Sequence, residues 1–149
     1  MVTTASAKRT IATDAWTTIS VAAACANRPR EIPGHGDTFT VHRSSHQDEL
    51  TKLMPVLEAA GASYGVRQAA IWIVTDDASY FDLGTLLSRP QYQMTGGTRV
   101  IQESEAAEAM RICERAGIDL ERKRIWRDRA VISSGVRDPK LREWLAGKG

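Results

Sequence analysis

Residues 65–77, GVRQAAIWIVTDD, decide how the chain is read. The run from Gln68 to Thr75 carries no charge and is bounded by Arg67 on one side and by Asp76 and Asp77 on the other. Ile71, Ile73 and Val74 are β-branched and would suit a strand. The apolar run is long for a strand, contains alanines, and follows Ser63, a residue that can cap a helix by accepting from a free main-chain N–H. The expectation is therefore a helix, apolar nearly all round and so central in the fold. Gln68 then stands at its head with a polar carboxamide. Buried without partners, that group would cost about 1–3 kcal/mol.

Upstream, TISVAAACA alternates. Ile19, Val21, Ala23 and Cys25 fall on one face at the period of a strand. DTFTVH places Phe39 and Val41 together in the same way. ANRPREIPGHGD lies between the two, a proline- and glycine-rich loop of a length often given to function. From Ser44 the period changes to that of a helix, with Leu50, Leu53, Met54, Leu57 and Ala60 on one face. Ser45 and Asp48 have the spacing of a capping box. Pro55 would kink this helix or start a second one, and Gly61 would end it.

Downstream, Asp77 or Ser79 opens a short helix through Tyr80, Phe81, Leu83 and Leu87. RPQYQMTGGTRV reads as a loop. Ser104 opens a helix that Gly117 and Ile118 close as a left-handed cap and its hydrophobic partner. Asp119 is a further N-cap. Asp138-Pro139 opens a last helix bearing Leu141, Trp144 and Leu145. These elements give an α+β architecture: short N-terminal β-strands packed on a cluster of five to six helices. Residues 1–15 form a flexible N-terminal segment, and residues 16–149 a single domain.

The composition narrows the function. With 42% hydrophobic and 26% charged residues, the chain is of ordinary globular type. No apolar run is long enough to span a bilayer, and the opening does not have the pattern of a signal peptide. The net charge of +2 sets up no strong general attraction to an anionic partner. Basic residues gather between Arg111 and Arg142. The interleaved Glu114, Asp119, Glu121 and Asp128 make a solvated helical face the better reading than a nucleic-acid surface.

Two cysteines, Cys25 and Cys113, make neither a disulfide framework nor a zinc site. His35, His42 and His46 lack a metal-ligand spacing. Phosphate-binding glycine loops and the common hydrolase and metalloprotease motifs are missing. No catalytic constellation, metal or cofactor is expected, and Asp76 and Asp77 make a poor acid–base pair.

Gln68 admits a further role. A cysteine thiol set against a glutamine carboxamide can condense with it, releasing ammonia and leaving a thioester. Such an electrophile survives where water and general bases are excluded, as beside an apolar helix head. The segment RQAAIW resembles the Thr-Gln-x-Ala-Ile-Trp signature of the thioester domains in surface adhesins of Gram-positive bacteria. In that family a strand delivers a cysteine, and a downstream glutamine completes an internal Cys–Gln thioester.

The resemblance covers residues 16 to 87. It places Cys25 and Gln68 as the bonded pair, with Ala70, Ile71, Trp72 and Asp76 as the supporting pocket. Arg67 stands where the family has threonine, and no aromatic precedes Cys25. The resemblance implies a non-enzymatic adhesion module at the cell surface that captures a protein ligand through a lysine amine. Two alternatives from the residues themselves stay open. One is a non-catalytic interaction module of a larger multidomain protein. The other is a nucleic-acid-binding domain using the basic C-terminal third.

Overall fold

A computed structural model describes residues 42–84 and 101–147 continuously, with 2–3, 10, 13–14, 16–18, 23–26, 28, 36–38 and 40. Its described part is mainly helical. The helices are α1 (Gln47–Ala59), α2 (Tyr64–Thr75), α3 (Tyr80–Leu83), α4 (Glu103–Arg115), α5 (Arg129–Gly135) and α6 (Pro139–Ala146). Short 3-10 turns at Leu120–Arg122 and Arg124–Asp128 link α4 to α5.

The α+β expectation is thereby corrected toward helix. Among the described residues, strand structure is limited to β1 (Val2–Thr3) and β2 (Ala23–Ala24), paired antiparallel with Val2 opposite Ala24. The opening segment, expected to be loose, thus supplies one of the two strands. Asp37, Thr38, Thr40 and His42 are not in a strand. Phe39 and Val41, on which that expectation rests, lie outside the described residues. So do Ile19 to Ala22, His35 and Leu87.

α2 is the centre of the fold. Ser63 caps it, its hydroxyl accepting from the Val66 N–H. Every residue from Gln68 to Val74 is buried, because α1, α4 and β2 all pack on this one helix. Fully burying side chains such as Ile71 or Ile73 contributes about 1.5–3 kcal/mol each, which overrides their β-branched preference. α4 carries the small buried residues Ala106 and Ala109 on the face of Cys113, which meets α2. With Ala69 and Ala70 on α2, these let the two backbones come close; the Cys113 Sγ lies 3.9 Å from the Ala70 carbonyl oxygen.

Helix ends follow local chemistry. Gly61 (φ 57°) and Gly117 (φ 73°) take the left-handed conformation expected of a residue just past a helix end. The Ile118 N–H returns to the Cys113 carbonyl, and Ile118 is buried. Asp138 caps α6 through the Lys140 N–H, with Pro139 in the first turn.

Two boundaries differ from expectation. α1 begins after His46, with the Ser44 hydroxyl accepting from the His46 N–H, so Ser45 and Asp48 form no capping box. α4 begins at Glu103, and the Glu105 carboxylate accepts from the Gln102 N–H. Pro55 neither breaks nor divides α1. Pro55 and Thr51 are both exposed, so water can reach the Thr51 carbonyl that Pro55 leaves without a donor. Among the described residues, no helix is long and apolar enough to cross a membrane.

Candidate functional site

Gln68 and Cys25, 43 residues apart, meet. The Gln68 Oε1 accepts from the Cys25 main-chain N–H at 3.1 Å. The Gln68 Nε2 donates to the Cys25 carbonyl oxygen at 2.7 Å. One carboxamide thus holds both main-chain polar groups of a single residue.

The reason is local. β2 ends at Ala24, where its pairing with β1 stops. Cys25, the next residue, still carries an N–H and a C=O that need partners. The side-chain amide has one acceptor and two donors in the geometry of a peptide group. It therefore takes the place of a neighbouring strand. Gln68 is 1% exposed, so the pairing is shielded from competing water. Its two polar ends, left without partners by the sequence pattern, are both occupied.

The remaining site residues lie along α2. At 100° per residue, Ile71, Trp72 and Asp76 share the Gln68 side of the helix, whereas Ala70 lies roughly 200° round it. Ala70 is buried on the side that meets α4, and supports the site through helix packing rather than as pocket lining. Trp72 is 1% exposed, and its indole N–H has no hydrogen-bond partner among the described residues. Asp76 ends α2. Its Oδ1 accepts from the Arg28 main-chain N–H at 3.1 Å, and its Oδ2 from the Thr75 hydroxyl at 2.7 Å. Asp77 turns away with a positive φ of 47° and accepts from the Arg124 N–H.

Two residues not singled out by sequence join the site. The Arg28 guanidinium reaches the Asp82 main-chain oxygen at 3.1 Å and its Oδ1 at 3.0 Å. The other Asp82 oxygen accepts from the Ser79 N–H and hydroxyl and lies 3.2 Å from Arg124. Burial works against the charge on Asp82. The Ser79 hydrogen bonds, with Arg28 and Arg124, outweigh it and hold the carboxyl below its ordinary value. The only earlier sign was a single cation three residues after the cysteine.

Cys25 is half-buried, and no disulfide joins it to Cys113. Cys113 is enclosed on α4, where burial pushes its thiol up to about 12. His42 bonds the Thr40 hydroxyl, and His46 faces Glu49 at 3.7 Å. Among the described residues, no group of three or more ligating side chains gathers. Several cations of the C-terminal third are paired: Arg111 with Glu108, Arg122 with Asp119, Lys123 with Glu49 and Arg124 with Asp82. No family model, curated protein or solved structure matches the chain, so function is argued from the geometry of Cys25 and Gln68.

Proposed function

We propose that the chain is a thioester-domain-like binding module that captures an amine covalently through Cys25 and Gln68. One observation carries this reading. The residue whose main chain grips the buried carboxamide is also the residue that bears the thiol. In the first step the Cys25 sulfur attacks the Gln68 amide carbon. The S–C bond forms, the C–N bond breaks, and nitrogen leaves with the thiol proton as ammonia. In the second step a ligand amine attacks the same carbon. An amide forms, and Cys25 departs as the thiol.

The surroundings support each step. The Cys25 N–H points at the Gln68 Oε1, where negative charge gathers in both tetrahedral intermediates, and a main-chain donor there stabilises it. Gln68 is itself 1% exposed, and Trp72 and Ile71 are buried on the same side of α2, so water has little access to the carbonyl. Cys25 is only half-buried, in keeping with an incoming amine reaching the bond from the Cys25 side. A lysine side chain of a protein ligand meets this requirement, and the resemblance to adhesin thioester domains is what suggests such capture at a cell surface.

A second reading is favoured by the completeness of the pairing. Gln68 satisfies both main-chain groups of Cys25, which is reason enough for a buried glutamine in a non-catalytic interaction module. Incubation with methylamine separates the two. Capture would attach methylamine at Gln68, located by peptide mapping, and Cys25→Ala would not react. An unlabelled Gln68 in the unaltered protein would leave only the second reading.

A further inference from the structure

We infer that Arg28 is the positioning residue that holds Cys25 against Gln68. The inference rests on the reading of Cys25 and Gln68 as a bonding pair. Cys25 directly follows the short strand β2. β2 is two residues long, and two-stranded pairing of that length is marginal by itself. Among the described residues, the segment is fastened to α2 at two points.

In the second turn of α2, Gln68 takes both main-chain groups of Cys25. At its foot, Asp76 takes the Arg28 N–H, and the Arg28 guanidinium closes on the Asp82 carbonyl and carboxylate. The spans agree. Gln68 to Asp76 is roughly 12 Å of helix, and three residues of chain reach about 10 Å. A short segment tied at both ends has less room to lift Cys25 off the carboxamide.

The receiving carboxylate is itself fixed. Asp82 is held by the Ser79 N–H and hydroxyl at the start of α3, and its second oxygen pairs with Arg124. α3 is anchored in turn by the Tyr80 N–H on Asp128 and the Tyr80 hydroxyl on Glu103. Arg28 therefore docks on a rigid acceptor, and a planar guanidinium can contact the carbonyl and the carboxylate together, which an ammonium does with less geometric control.

The test uses the full chain with Arg28→Ala and Arg28→Lys. Three quantities are read: hydrogen exchange at the residue-25 amide, measured with Cys25→Ala added so that no covalent bond holds it, the fraction of protein lighter by one ammonia, and the rate of methylamine incorporation. Losing two charge-assisted hydrogen bonds should speed residue-25 exchange by about tenfold or more in Arg28→Ala. The thioester fraction and methylamine incorporation should fall with it, while amides of α3 and of Arg124–Asp128 keep their protection. Arg28→Lys should recover part of all three, and it serves alone if the alanine variant does not fold. Residue-25 exchange unchanged in both variants, or rising equally in α3 and Arg124–Asp128, overturns the inference. If the unaltered protein carries no mass deficit, the proposed function fails, and residue-25 exchange still decides the role of Arg28.

Discussion

Replacing Gln68 by glutamate tests the carboxamide pairing with almost no change of shape. The measurement belongs in a Cys25→Ala background, where the main-chain partners remain and no covalent bond can form. One glutamate oxygen would keep the bond from the residue-25 N–H. The other would sit where Nε2 now lies, 2.7 Å from a carbonyl oxygen. Two acceptors at that distance repel unless a proton lies between them.

The loss at neutral pH combines one hydrogen bond, about 1 kcal/mol, with a buried acceptor left unmatched, about 1–3 kcal/mol, for roughly 2–4 kcal/mol in all. At about 1.4 kcal/mol per pH unit, that raises the glutamate some 1.5–3 units above its ordinary value near 4.3. The sign follows from linkage: a carboxyl whose folded pKa is raised contributes its stability below the unfolded value and loses it as pH rises through the folded value. Urea unfolding across a pH series should show the variant close to the glutamine protein below about pH 4. The deficit should open as pH rises and level off above the folded value. Gln68→Leu, which loses both bonds at every pH, should show a deficit without that slope. A glutamate deficit constant with pH, or under about 0.5 kcal/mol at neutrality, would refute the pairing.

Other outcomes can be checked in parallel. The Asp82 carboxyl, held below its ordinary 3.8, contributes stability at neutral pH that is lost as pH falls through its lowered value. Asp82→Asn should therefore be less stable than the unaltered protein at neutral pH and should lack that part of its acid-side decline in unfolding experiments. Cys113, enclosed and with its thiol raised to about 12, should resist alkylation in the folded protein and react only in denaturant, as mass spectrometry would show. Gly117→Ala meets no atom within 4 Å, so its cost is that of a left-handed alanine, about 1–2 kcal/mol in chemical denaturation. A negligible change there would place the end of α4 in another conformation.

The parts of the fold that were legible in the sequence are those set by neighbours in the chain. Ser63, Ser79 and Asp138-Pro139 start helices because a side-chain oxygen or a missing N–H acts within three residues. Gly61 and Gly117 end helices through their own backbone freedom. The centrality of α2 followed from an apolar surface that no single neighbour could cover. Ser45 misled because the Ser44 hydroxyl acts one residue earlier.

The site was legible only in part. Gln68 drew notice as a polar group that burial would penalise, and Cys25 was joined to it through the resemblance, not through spacing. Its partner turned out to be the main chain of Cys25, which no side-chain pattern encodes. Arg28 meets Asp76 and Asp82 across 48 and 54 residues, and charges are too common for such a pairing to stand out.

Intact mass measured under native, amine-free conditions goes to the heart of covalent capture. The unaltered protein is expected to be lighter than its sequence by one ammonia, and Cys25→Ala to have the full mass of its own sequence. An unaltered protein at full mass would contradict the thioester and leave Gln68 as the clasp of a strand end.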